Sequence, residues 1–97
     1  MSAAARRRYD ALTRIGCCVC RREFGVYTPP AMHHLRGHPW SGAGQRASDE
    51  HTISLCPAHH QTGGYGVAYH AGPAEFERRF GTQAELLEWC NARLKMV

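Results

Sequence analysis

The chain has 97 residues, enough for one domain with a modest core. Hydrophobic residues make up 43% and charged residues 21%, which excludes an intrinsically disordered chain. No apolar run approaches the roughly 18–20 residues of a membrane span. The formal charge of +4, from 12 Lys and Arg against 8 Asp and Glu, fits a polyanionic partner without specifying one. Arg6-Arg7-Arg8 stand near the start without an apolar stretch after them, so the expectation is a cytoplasmic protein with no export.

The chain carries five Cys and seven His, all of them potential metal ligands. A domain this small needs a staple beyond its core, either disulfides or metal. An odd number of cysteines and no export signal favour a reducing compartment, and therefore metal.

In chain order, residues 2–15 read as a helix. Ser2 caps it, Ala5, Tyr9, Leu12 and Ile15 recur at helical spacing, and Gly16 stops it. Arg6, Arg7, Arg8 and Arg14 decorate its other faces, either solvated or on DNA. Cys17-Cys18-Val19-Cys20 form a knuckle that ends at Gly25, and Pro29-Pro30 force an extended approach to a strand over 31–35. A polar, glycine-containing loop follows over 36–50, including Gly37, Gly42 and Gly44. His51-Thr52-Ile53-Ser54-Leu55 alternates and reads as a second strand. Pro57 then opens a short helix, interrupted or ended by Gly63-Gly64-Tyr65-Gly66. Two helices finish the chain, one over 73–80 and one over 82–95. The second starts at the capping box Thr82-Gln83-Ala84-Glu85 and presents Leu86, Cys90 and Leu94 on one face. Cys90 and Trp89 are expected in the core.

Cys17 and Cys20 are spaced C-x-x-C, and Cys56 and His59 C-x-x-H. Each spacing lets two ligands from one tight turn reach the same tetrahedral ion, and mixed thiolate and imidazole donors suit a structural zinc. Between these half-sites lies His33-His34. Adjacent residues of a strand point to opposite sides, so one can hold a metal while the other faces elsewhere. If His59 completes the zinc site, His60 is turned about 100° around the axis and is free for a different ion. His70, beyond the glycine turn, can reach the same place.

The pattern Cys17-x-x-Cys20, His33-His34 and Leu55-Cys56-Pro57-Ala58-His59-His60 resembles the HNH endonuclease superfamily. The stretches His33–Gly37, Gly44–Asp49 and Thr52–Gln61 are similar to the Ref-like branch of RecA-dependent phage nucleases, and the likeness runs over roughly residues 10–90. The resemblance implies an α+β fold: a small zinc-stabilised ββα-metal (His-Me finger) core over about residues 17–70, with flanking helices, in one domain spanning 1–97. It implies His33 and His60 as ligands of a catalytic ion, His70 as a third ligand, and His34 as general base. It further implies a cell context of a bacterium or a phage-infected host, and a RecA filament as partner.

One departure stands out. The motif's asparagine, which orients the base, is replaced here by His51, with Asp49 nearby; the chain's one asparagine is Asn91. His51 or Asp49 is the expected orienter. Neutral imidazole near its ordinary pKa of about 6.5 can take a proton from water. Cleavage would leave 5′-phosphate and 3′-hydroxyl ends. An all-imidazole site lacks the hard oxygens that Mg²⁺ prefers, so Mn²⁺, Ni²⁺ or Co²⁺ should support it better than Mg²⁺. Arg36 and Arg46 are candidates for DNA phosphate contacts. The expected function is a divalent-metal-dependent DNA endonuclease in phage recombination, with no small-molecule cofactor and no membrane. The rival is a non-catalytic zinc module that binds DNA or a recombination protein; it would keep the cysteines without needing His34.

Overall fold

Helix α1 spans Ala3–Ile15. It begins where the Ser2 hydroxyl accepts a hydrogen bond from the Ala5 N–H at 3.0 Å, which satisfies one of the free donors of the first turn. It ends at Gly16, whose φ of +85° and the Tyr27 ring 2.7 Å from where a Cβ would stand both demand glycine. The chain then makes a π-helical turn over Cys20–Phe24, closed by the left-handed Gly25. Strands β1 (Ala31–His34) and β2 (Thr52–Leu55) pair antiparallel, with Ala31 opposite Leu55 and His34 opposite Thr52. The Leu35 N–H donates to the His51 carbonyl at 3.0 Å, so hydrogen bonding continues one residue past the strand ends. A second π-helical turn follows over Ala58–Thr62, then a 3₁₀ turn over Tyr69–Ala71. Helix α2 (Pro73–Phe80) and helix α3 (Gln83–Leu94) complete the chain.

This computed structural model describes residues 1–42 and 45–95. Gly44, read above as part of the loop and of the family likeness, lies outside the described residues. The architecture is a small α+β fold: a two-stranded sheet with helices against it. All four β2 residues are buried, because α1 and α3 both pack on that strand. Leu12, Ile15, Leu35, Ile53, Leu55, Phe76 and Leu86 form the core with the five cysteines. Cys90 is buried as expected, and Trp89 is half-buried at the core's margin with the Arg93 guanidinium 4.7 Å from its ring. No helix among the described residues is long and apolar enough to cross a membrane.

Arg8 is the exception among the α1 arginines. Its guanidinium is half-buried and donates to the Thr52 hydroxyl at 3.0 Å, the Thr52 carbonyl and the Asn91 side chain at 2.8 Å. It is neither solvated nor free for DNA; it ties α1 to β2 and α3.

Candidate metal centres and active site

The knuckle after α1 and the turn after β2 bring Cys17, Cys20, Cys56 and His59 together, all four buried. His59 Nδ1 lies 3.2 Å from Cys56 Sγ, 3.5 Å from Cys20 Sγ and 3.7 Å from Cys17 Sγ, while Cys20 and Cys56 are 3.9 Å apart. Donors around one tetrahedral zinc are separated by roughly 3.5–3.8 Å, given Zn–S of about 2.3 Å and Zn–N of about 2.0 Å. The set therefore fits a metal such as zinc in both chemistry and spacing. Burial pushes the Cys17 thiol up to about 12, so a thiolate there needs a cation beside it. The Phe80 ring packs edge-on against His59, with centroids 5.2 Å apart, and so α2 holds the one imidazole of the set.

His60 follows directly and faces the other way. It meets His70 from the 3₁₀ turn, with their Nε2 atoms 3.0 Å apart, and His33 from β1. His33, His60 and His70 form a second donor group. His33 is almost fully buried, at 1% exposure, with the Tyr69 ring 4.6 Å from its own. Burial holds the His33 imidazole down to about 4. Burial also lowers His60, helped by His70, and lowers His70, helped by Arg36. Three neutral imidazoles with converging nitrogens present lone pairs to a cation rather than charge against it.

His34, next along β1, points away from that trio. Its Nε2 lies 2.9 Å from Asp49 Oδ1. The Tyr9 hydroxyl, from α1, sits 3.1 Å from the same nitrogen and donates to Asp49 Oδ1 at 3.0 Å. These hydrogen bonds from His34 and Tyr9 hold the Asp49 carboxyl below its ordinary range. Of the two expected orienters, Asp49 contacts His34. The His51 ring instead meets the Ser48 hydroxyl at 3.2 Å, and its carbonyl serves the sheet. Tyr9 was legible only as an apolar-face residue of α1, and its hydroxyl partner lies 40 positions away.

An open groove of about 670 Å³ runs past both histidine groups. His33, His34, His60 and His70 line it together with Arg36 and Arg46. Arg46 is largely exposed and lies 3.7 Å from Asp49. The groove wall thus combines imidazoles and guanidiniums, a lining suited to an anionic ligand.

A histidine trio that could hold a cation, a histidine paired with Asp49 and two arginines thus line one groove. The chain belongs to the recombination enhancement, RecA-dependent nuclease family, whose model matches residues 1–95. Its role is accordingly that of a nuclease in recombination, with DNA as substrate. No curated protein and no solved structure matches it.

Proposed function

We propose that this nuclease is a divalent-metal-dependent endonuclease of the HNH type, hydrolysing DNA phosphodiesters with His34 as general base. The observation that carries the reading is the division of β1: His33 joins His60 and His70, while its neighbour His34 is held by Asp49 in the same groove. Donation from His34 Nε2 to Asp49 leaves His34 Nδ1 as the ring's proton acceptor. A water in the groove gives its proton to that nitrogen as it attacks phosphorus. Asp49 stabilises the imidazolium that forms, and Tyr9 keeps the carboxylate in place. Asp49 fills the orienting role left open by the missing motif asparagine. Arg36 and Arg46 hold flanking phosphates.

His33, His60 and His70 would hold the catalytic ion, which when bound supplies charge to the scissile phosphate and the departing 3′ oxygen. The products are 5′-phosphate and 3′-hydroxyl ends. All-nitrogen donors favour Mn²⁺, Ni²⁺ or Co²⁺ over Mg²⁺. Cys17, Cys20, Cys56 and His59 hold a structural zinc. The family description supports a RecA filament as the partner that presents the DNA.

Nicking of supercoiled plasmid and of single strands, with each divalent ion and with or without RecA-coated DNA, tests the reading. Activity should require an added ion and should be lost in His34→Ala. Full activity in that variant overturns the base assignment.

A further inference from the structure

Gln83 stands first in α3, inside the capping box, and glutamine side chains are mostly exposed in folded proteins. The structure buries it instead, at 6% exposure. Its side chain pairs with the backbone of Arg36, just past β1. Gln83 Oε1 accepts from the Arg36 N–H at 2.8 Å, and Gln83 Nε2 donates to the Arg36 carbonyl at 3.0 Å. These two bonds settle which end of the amide is oxygen, because a flipped amide would set donor against donor and acceptor against acceptor. The same Oε1 lies 3.2 Å from His33 Nε2. An oxygen can only accept, so that nitrogen must carry the ring's proton. The Gln83 backbone N–H is itself anchored on the Glu77 carboxylate at 2.9 Å, which joins α2 to the arrangement.

We propose that Gln83 is a positioning residue that locks His33 in its Nε2–H tautomer, so that Nδ1 is the nitrogen left to take a cation. This deepens the metal reading of the His33, His60 and His70 trio and rests on it. The tautomer lock needs no ion. It follows from an amide whose orientation is dictated by Arg36, a residue in the same groove. Partners of this kind fix ring orientation and tautomer in metal-ligating histidines, and losing one typically lowers metal affinity about 10–100-fold. Gln83 touches neither substrate nor reacting atoms in this scheme.

The test uses the full chain with one zinc per chain, enough for the Cys17, Cys20, Cys56 and His59 cluster alone, without other added ions and labelled with ¹⁵N-histidine. Long-range ¹H–¹⁵N correlation should show His33 protonated on Nε2. Gln83→Met, close in size but without an acceptor, should relax that preference and weaken Mn²⁺ binding by calorimetry about 10–100-fold. Gln83→Glu keeps the acceptor and should retain the Nε2–H form. An Nδ1–H ring in the unaltered protein overturns the proposal, as does Gln83→Met with unchanged tautomer and unchanged Mn²⁺ affinity. An Nε2–H ring in a protein that binds no Mn²⁺ would instead refute the metal reading and uphold the lock.

Discussion

Replacing Cys56 with alanine should cost the protein a large part of its stability. Cys20 and Cys56 stand 36 positions apart, and their thiols join the knuckle after α1 to the end of β2. Treated as a covalent tie, a zinc between them removes chain entropy from the unfolded state worth about 4 kcal/mol for a loop of that length. Domains of this size are stable by only about 5–15 kcal/mol in total, so the tie is a major share. At roughly 4–8 °C per kcal/mol, Cys56→Ala should melt about 15–30 °C below the unaltered protein. Circular dichroism follows the transition, and mass spectrometry under native conditions counts zinc per chain. A melting temperature within about 5 °C of the parent, with one zinc still bound, would refute the reasoning.

Four further outcomes are expected. His34→Ala should lower nicking about 10²–10⁴-fold at unchanged melting temperature, whereas His51→Ala should stay within a few-fold of the parent in the same plasmid assay. His33 is held neutral down to about 4, below its unfolded value near 6.5. The unfolded chain therefore binds the extra proton between those values, and stability falls as pH falls through that window. The unfolding free energy of the parent, from urea titrations, should thus drop more steeply with acid than that of His33→Gln, by up to about 1.4 kcal/mol per pH unit. Phe76, fully buried between Tyr69 and Phe80, should cost about 3–5 kcal/mol on truncation to alanine, measured by denaturant unfolding. Arg36→Ala should reduce the slope of log DNA affinity against log salt by about one, read by fluorescence anisotropy.

Most elements were legible because their signals are local. Ser2 and Gly16 delimit α1, the alternation around Ile53 marks β2, and Pro73 with Gly81 brackets α2. The zinc-type donor set was legible from two short spacings, and the opposite facing of His33 and His34 from the strand period. Likewise one helical step turns His60 away from His59. Tyr9 and Gln83 were not legible as site residues. Each carries a local signal, an apolar helix face and a helix cap, that accounts for it fully until tertiary packing brings it to a histidine. Gln83 reaches Arg36 across 47 positions, and nothing in the spacing of either residue announces that bond. Arg8 was misjudged for the same reason: its partners Thr52 and Asn91 lie on distant elements.

His59 and His60 are consecutive residues, yet each belongs to a different donor cluster. The peptide bond between them is therefore the shortest covalent link between the Cys/His cluster and the histidine groove. A chelator that strips the buried cluster would release the backbone that aims His60, so inhibition by chelation does not by itself identify which ion was lost. The same adjacency forbids drift: a single residue inserted between the two would swing one imidazole off its cluster, and neither could be adjusted without the other.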